Sequence, residues 1–230
     1  MATRVPGLFI TGTDTGVGKT YVAALIARHL AVEGRKVGVY KPAASGCVQQ
    51  AGVLVSDDAV ALWEAAGRPG ELQQVCPQLF RAPLAPHLAA RAEGREIDAA
   101  LLREGLNYWL DRSDILLVEG AGGLMSPMGD DEYVADLAEE FGFPLVVVSR
   151  NVLGTINQTL QTLITAAVFR EGLPIAGVVL NHPLPPDADD VSLAQNRQEL
   201  SHRCVPPVLA EVFWGADAMD SSVDWFSLAR

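Results

Sequence analysis

Cysteine is scarce in this sequence, which contains only Cys47, Cys76 and Cys204 in 230 residues. The three residues are far apart and odd in number, so they fit neither a zinc-binding pattern nor a disulfide framework. Proteins without such frameworks are typical of reducing compartments. We therefore expect a cytoplasmic protein that does not depend on disulfides or on a structural zinc ion.

Long hydrophobic runs are also absent. The longest apolar segments, such as 115–118 and 145–148, are far too short to span a bilayer. They fit strands of a parallel sheet, which is covered on both faces. No charged segment followed by an apolar one precedes residue 8, so we expect neither a secretion signal nor a membrane partner.

Positively charged residues are few: the sequence has 17 Lys and Arg residues and 28 Asp and Glu residues, which gives a net charge of −11. This balance argues against nucleic acid as the main partner, although a local basic pocket for an anionic ligand is compatible with it. The hydrophobic fraction of 49% is ample for a large core. The length suits one domain covering residues 1–230.

Only three lysines occur, and one of them completes a phosphate-binding pattern. Gly18, Lys19 and Thr20 match the GK[ST] end of the GxxxxGK[ST] pattern, and Gly12 stands one position before the place of its first glycine, between an apolar strand and a segment with helical spacing of apolar residues. The backbone N–H groups of such a loop form a concave anion site, and the start of the helix adds its positive end. The pattern predicts that Lys19 reaches the outer phosphates of a nucleotide and that Thr20 binds Mg²⁺.

Strands and helices alternate along the chain, which predicts an α/β fold: a doubly wound, mostly parallel sheet with helices on both faces. We expect strands at 8–12, 37–41, 114–118, 144–149, 175–180 and 208–212. We expect helices at 18–33, 56–66, 85–93, 98–110, 132–141 and 155–171, and one ending near residue 201. Irregular structure is expected at 67–82 and in the Pro/Asp loop 182–190, and the segment after residue 214 has no clear pattern.

Polar residues follow five of the expected strands, at the edge where parallel sheets bind ligands. They are the loop 13–20, then Lys41 with Ser45, then Glu119, then Arg150 with Asn151, and finally Asn181. Scattered surface residues would not choose the same end of each strand. The pattern therefore predicts one site at the carboxyl edge of the sheet.

Two of these residues, Glu119 and Lys41, suit phosphoryl-transfer chemistry. Glu119 ends an apolar strand and precedes a glycine-rich turn, so it is either a second metal ligand or a strand-end acid. Lys41 is either a cation that neutralises a developing phosphoryl charge or a lysine whose head group reaches solvent from a strand end. The residues alone leave both alternatives open.

Two further candidates are also ambiguous. Asp58 is either another carboxylate for Mg²⁺ or an acid that stabilises the N-terminus of a helix through its dipole. Asn181 offers both a donor and an acceptor to the edge of a nucleotide base, but the same amide could cap the following turn.

Seven segments together resemble the dethiobiotin synthetase family, whose members use ATP in biotin synthesis. They are TGTDTGVGKT (11–20), YKPAASG (40–46), SDDA (56–59), APHLAA (85–90), VEGAGGL (118–124), LGTINQTLQT (153–162) and GVVLN (177–181). The resemblance extends from about residue 9 to residue 212. Two features depart from the family pattern: AEVFW stands at 210–214, with Phe213 where proline is expected, and Arg150 is unusual after its strand.

The resemblance implies a role for each matching residue. Lys41, Lys19 and Thr15 would be catalytic, and Thr20, Asp58 and Glu119 would hold Mg²⁺. The ATP-binding set would be Thr13, Asp14, Thr15, Gly16, Val17, Gly18, Lys19, Thr20, Asp58, Glu119, Gly120, Ala121, Gly122 and Asn181. The substrate-binding set would be Thr15, Lys41, Ser45, Gly122, Leu153, Gly154, Thr155, Ile156 and Asn157.

The resemblance also implies the substrates and the assembly. They are ATP, CO₂ and 7,8-diaminononanoate, which would be joined and cyclised to dethiobiotin. The family forms a homodimer, and segment 153–157 would bind the carboxylate of a substrate held mainly by the other subunit. A helix N-terminus near Thr155 and Ile156 is also a suitable carboxylate site on physical grounds.

Two other classes of ATP-using protein are alternatives to the ligase interpretation. Partition and division-site ATPases carry a signature lysine five residues before the phosphate lysine, and here that position is Asp14. Amide-forming enzymes of cobalamin synthesis usually add a glutaminase domain, for which this chain has no room. Both alternatives are therefore weaker than the ligase interpretation.

Overall fold

The computed structural model describes residues 5–185 and 190–230. The expected loop at 182–190 therefore lies partly outside the described residues. Ten strands are described: β1 Gly7–Gly12, β2 Val37–Tyr40, β3 Ala43–Ala44, β4 Val48–Gln50, β5 Val53–Val55, β6 Gln78–Leu79, β7 Ile115–Glu119, β8 Leu145–Arg150, β9 Ile175–Asn181 and β10 Val208–Val212.

Within this described part, ten helices accompany the strands. They are α1 Lys19–Val32, α2 Asp57–Ala65, α3 Leu72–Val75, α4 Pro86–Ala92, α5 Ala99–Glu104, α6 Asn107–Leu110, α7 Val134–Phe141, α8 Thr155–Val168, α9 Leu193–Arg203 and α10 Trp225–Leu228. None of the described helices is long and apolar enough to cross a membrane.

The main sheet has six strands in the order β10-β9-β8-β1-β7-β2, and all of its pairs are parallel. Its central strands are continuous apolar runs, and every residue of β1 is buried, as expected for a sheet covered on both faces. The expected doubly wound α/β fold is confirmed. Because every pair is parallel, the six carboxyl ends share one edge of the sheet, where the predicted site residues were expected.

Two expectations about local structure were wrong, and one segment without a clear sequence pattern contains a helix. Residues 67–82 are not wholly irregular, because they contain α3 and β6. The helix expected at 98–110 is divided into α5 and α6. The segment after residue 214 contains α10.

Short strands were also missed. β3 pairs with β6 over two residues, and β4 with β5 form a small antiparallel hairpin. The remaining helix and strand boundaries differ from the expected ones by up to three residues, the largest difference being α8, which ends at Val168 rather than 171.

Candidate active site

The loop between β1 and α1 is shaped by glycines. Gly16 and Gly18 have φ of 74° and 91°, a region that favours glycine. A Cβ atom on Gly12 would lie 2.7 Å from Cγ2 of Val17, and one on Gly18 would lie 2.1 Å from the amide nitrogen of Asn181. The glycines of this loop therefore reflect close backbone packing as well as turn geometry.

Lys19 is buried at the start of α1, and its Nζ donates a hydrogen bond to the Asp14 carbonyl oxygen at 3.0 Å. Burial lowers the pKa of Lys19, and the nearby Glu119 carboxylate offsets part of that effect. A bound phosphate would stabilise the charged form of this buried lysine, because it supplies a negative charge beside an ammonium group that burial has removed from water.

Lys41 lies between two carboxylates at the end of β2. Its Nζ is 2.6 Å from Oε1 of Glu119 and 3.0 Å from Oδ2 of Asp58. Burial acts against the charge of Lys41, but these two acids outweigh it and raise the pKa of the ammonium group. Burial likewise acts to raise the pKa of Asp58, yet Lys41 reverses the effect and the pKa of Asp58 is lowered. At neutral pH, Lys41 is therefore a fixed positive charge.

Thr20, Asp58 and Glu119, the three predicted metal ligands, converge on the same point. Oγ1 of Thr20 donates to Oε1 of Glu119 at 2.8 Å, while Asp58 and Glu119 share Lys41. The second oxygen of Glu119, Oε2, is buried and has no hydrogen-bond partner in the described chain. A buried acceptor without a partner fits an absent cation.

This donor set suits Mg²⁺ only together with a nucleotide. Within the described residues, no group of three or more His, Cys, Asp and Glu side chains could hold a metal ion. Mg²⁺ is usually bound by one or two carboxylates plus phosphate oxygens and waters, and two carboxylates with a hydroxyl match that pattern.

A cleft of about 490 Å³ joins the loop to the ends of β2 and β7. The backbone N–H of Lys41 donates to the Val75 carbonyl oxygen at 2.7 Å, and β3 then carries the chain along the cleft to Ser45. The predicted site residues that line the cleft are Thr15, Gly16, Gly18, Lys19, Thr20, Lys41, Ser45, Asp58, Glu119, Ala121 and Gly122.

The other predicted residues lie outside the lining of this cleft. Thr13 and Asp14 line a neighbouring groove beside α8, Val17 is buried under the loop, and Gly120 is buried behind the glycine turn. Asn181 lies at the end of β9, where its Nδ2 donates to the Val17 carbonyl oxygen at 2.8 Å. Part of its amide is therefore occupied by the loop.

Segment 153–157 lies at the start of α8, beyond the end of β8. Leu153 is 83% exposed, Gly154 and Asn157 are exposed, and Ile156 is half-buried. Thr155 is buried: its hydroxyl interacts with Ser149 at 2.7 Å and its N–H donates to the Val152 carbonyl oxygen. The structure does not bring this segment into the Lys41 cleft of the same chain.

Sequence reasoning missed Tyr21, Ala43 and Ala44, which also line the cleft. Tyr21 follows Thr20 directly, and its hydroxyl donates to the Ala216 carbonyl oxygen, which ties the C-terminal segment to α1. Because Tyr21 lies in the first turn of α1, its position in the sequence could have identified it as a residue of the cleft. The two alanines offered none, because their place depends on the pairing of β3 with β6.

Comparison with solved structures supports the fold. The signal recognition particle receptor FtsY from Elizabethkingia anophelis aligns with a TM-score of 0.52 and 13% identity, covering 100% of this chain and 62% of that one. Chloroplast FtsY from Physcomitrella patens aligns with a TM-score of 0.54 and 17% identity, covering 99% and 65%. Together with the loop and its buried Lys19, this fold defines a P-loop nucleotide-binding protein.

Sequence comparison narrows the class. The family AAA_26, described as an AAA domain, matches residues 6–222. The protein named ATP-dependent dethiobiotin synthetase BioD from Anaeromyxobacter dehalogenans is 46% identical to this chain, and the alignment covers 92% of this chain and 91% of that protein. The protein of the same name from Rhodopirellula baltica is 42% identical, with coverage of 89% and 82%. The chain belongs to the ATP-dependent dethiobiotin synthetase family, as the resemblance implied.

Proposed function

We propose that this protein is an ATP-dependent cyclo-ligase that converts 7,8-diaminononanoate and CO₂ to dethiobiotin, releasing ADP and phosphate. Membership of the dethiobiotin synthetase family supports the overall reaction. The single structural observation that supports the chemistry is the contact of Lys41 with both Glu119 and Asp58 beside the phosphate loop. It puts a permanent cation where phosphoryl charge would develop.

The chemistry divides into three balanced steps. One amine of the substrate attacks CO₂, loses a proton and becomes a carbamate. An oxygen of the carbamate then attacks the terminal phosphorus of ATP, and the bond to the departing ADP oxygen breaks. Finally the second amine attacks the carbonyl carbon, phosphate leaves, a proton is lost and the ureido ring closes. Such a sequence depends mainly on positioning and on charge stabilisation.

The catalytic roles are assigned to Lys19, Lys41 and Thr15. Lys19 binds the outer phosphates from the loop, and its lowered pKa makes it responsive to their charge. Lys41 stabilises the carbamate and the phosphoryl group during transfer. Thr15 is exposed at the mouth of the cleft, where it can contact the transferred group.

Thr20, Asp58 and Glu119 would hold Mg²⁺, for which the unpartnered Oε2 of Glu119 provides a ligand atom. When bound, Mg²⁺ neutralises phosphate charge. The remaining ATP contacts are assigned to Thr13, Asp14, Gly16, Val17, Gly18, Gly120, Ala121, Gly122 and Asn181.

The diamine is assigned to Ser45 and Gly122 on the cleft side, with its carboxylate at 153–157 of a second copy of the chain. This arrangement requires a homodimer. It accounts for an exposed Leu153 and for the separation of 153–157 from Lys41 within one chain. We propose a cytoplasmic enzyme whose partners are these small molecules.

The decisive experiment measures phosphate release by the purified protein with ATP and Mg²⁺. We expect rapid release only when 7,8-diaminononanoate and bicarbonate are both present, because the carbamate is the phosphoryl acceptor. Each substrate alone is the control, and mass spectrometry should detect dethiobiotin in the complete mixture. Fast release without either substrate would favour an ATPase switch, and no release with both would contradict the ligase proposal.

A further inference from the structure

Arg150 ends β8 with a guanidinium group that nothing in the described chain explains. Its Nε is buried without a hydrogen-bond partner, and the group forms no ion pair with residues 5–185 or 190–230. Its neighbour Asn151 is fully engaged, since its amide bonds the Leu193 carbonyl oxygen and Asn196. Arg197, close by, pairs with Glu211. A buried donor without an acceptor is costly and calls for a missing partner.

The strand register shows which face of the sheet Arg150 occupies. Ser149 directs its hydroxyl to Thr155 and Thr159 of α8. Because successive side chains alternate between faces, Arg150 lies on the opposite face. Its register partner on β9 is Asn181, whose amide bonds the Val17 carbonyl oxygen.

The neighbouring strand β1 gives the same result. Gly12 pairs with Val148, and a Cβ atom on Gly12 would point at Val17 and Lys19. Val148 and Arg150 share that face because they are two residues apart. Arg150 therefore lies on the face of the sheet that carries the phosphate loop, at the end of β8 between β1 and β9.

The polarity of the site fixes which part of a nucleotide comes near Arg150. In the proposed function Lys41, Asp58 and Glu119 surround the terminal phosphate, and they lie toward β7 and β2. The nucleoside must then leave the loop on the other side, above the ends of β8 and β9. On that side Phe213 and Trp214, each about half exposed, follow β10.

We propose that Arg150 is a nucleotide-binding residue that donates hydrogen bonds to the ribose hydroxyls of the bound nucleotide. Guanidinium N–H groups suit anionic and hydroxyl oxygens, and charge-assisted bonds of this kind are among the strong ones. The inference rests on the proposed use of ATP, and it adds a contact on the nucleoside side of the loop.

Calorimetric titration of the full-length protein with ATP, ADP and inorganic tripolyphosphate, each with Mg²⁺, tests the proposal. We expect Arg150→Gln to weaken ATP and ADP binding to the same extent, by about tenfold or more. Tripolyphosphate supplies three phosphates but no ribose, so its affinity should be unchanged. Arg112→Gln is the matched control, because Arg112 covers the ring of Tyr108 near the opposite edge of the sheet.

Three results would overturn the proposal. The first is an unchanged ATP affinity, and the second is an equal loss of tripolyphosphate affinity, which would mean that Arg150 only supports the loop. The third is a change in oligomer mass, which would mean that Arg150 contacts another subunit. If Arg150→Gln does not fold, the same comparison of ATP affinity with tripolyphosphate affinity is made with Arg150→Lys. Binding is measured without diamine or bicarbonate. A wild-type protein that binds ATP but makes no dethiobiotin would therefore refute the ligase proposal and not this one.

Discussion

At the scale of single residues, Lys41 shows how a buried charge is maintained. An ammonium group out of contact with water is costly unless acids and hydrogen bonds surround it. Glu119 and Asp58 supply them, and they raise the pKa of Lys41 although burial opposes its charge. The same two acids are the proposed metal ligands, so Lys41 also limits the repulsion between them before a cation binds.

We expect Lys41→Gln to retain ATP binding and to lose turnover. The glutamine can still donate a hydrogen bond to Glu119 but cannot neutralise phosphoryl charge, so turnover should fall about a hundredfold or more. Stability should fall by about 1–3 kcal/mol because Glu119 loses a charged partner. Steady-state kinetics, ATP titration and urea unfolding measure the three effects.

Lys36→Gln is the control for this variant, because Lys36 is exposed. It should match the wild type in all three measurements. A Lys41→Gln protein with wild-type turnover would show that the proposed role of Lys41 is wrong.

The sequence predicted these residues to different degrees. Gly12, Gly18 and Lys19 act within one loop, so a local pattern could identify them. The proximity of Lys41 to Glu119 required only the rule that parallel strands end at one edge, and the structure confirms that the two meet. The bond from Asn181 to the Val17 carbonyl oxygen was not foreseen, because it joins residues 164 positions apart.

At the scale of secondary-structure elements, the β4–β5 hairpin has a two-residue turn with one poorly suited residue. Gln50 pairs with Val53 across Ala51 and Gly52, whose φ values are 48° and 86°. Positive φ at both positions is typical of a type I′ turn, which favours Asn-Gly. Ala51 therefore adopts a left-handed conformation that costs free energy for a residue with a Cβ atom.

We expect Ala51→Asn to stabilise the protein by about 0.5–1 kcal/mol, because asparagine tolerates the left-handed conformation. Urea unfolding should show a higher midpoint with an unchanged slope, and activity should not change. Gly52→Ala is the opposing variant and should destabilise. An Ala51→Asn protein no more stable than the wild type would show that the turn carries no strain.

Elements that depend on tertiary contacts were the ones the sequence could not predict. The helix expected at 98–110 breaks because the Tyr40 hydroxyl lies 2.9 Å and 3.0 Å from the carbonyl oxygens of Leu101 and Leu102. A Cβ atom on Gly105 would lie 2.3 Å from that hydroxyl oxygen. Apolar spacing along 98–110 gives no sign of an oxygen arriving from β2.

At the scale of the whole molecule, α8 presents apolar side chains that the described chain leaves uncovered. Ile164 and Val168 are one turn apart and are 62% and 71% exposed, and Leu153 precedes the helix. This surface adjoins the segment 153–157 that the proposed homodimer needs. A second copy of the chain is the partner that would both cover it and complete the substrate site.

We expect Ile164→Glu to produce a monomer that binds ATP normally but has lost most of its affinity for the diamine. The reason is that a carboxylate at the centre of an apolar contact must be buried without a partner. Analytical ultracentrifugation and ATP titration give the two readouts. Val32→Glu is the control, since Val32 is 84% exposed on α1. A dimeric Ile164→Glu protein would exclude α8 from the interface.

The α/β architecture as a whole was predictable, because apolar runs of four to seven residues alternating with amphipathic segments have few other solutions. That residues 1–230 form one domain stays a prediction. A dimer could not be derived from the residues, since exposed apolar side chains do not identify the surface that would cover them.

The bond between Asn181 and the Val17 carbonyl oxygen has a consequence for how the two ends of a nucleotide communicate. The amide that would recognise a base also fixes the backbone of the anion-binding loop. A base that hydrogen-bonds this amide in place of the loop would change how the loop binds the phosphates. A loop ordered by bound phosphate would in turn hold the amide in one orientation. With the role proposed for Asn181, base selectivity and triphosphate affinity would be linked through one side chain.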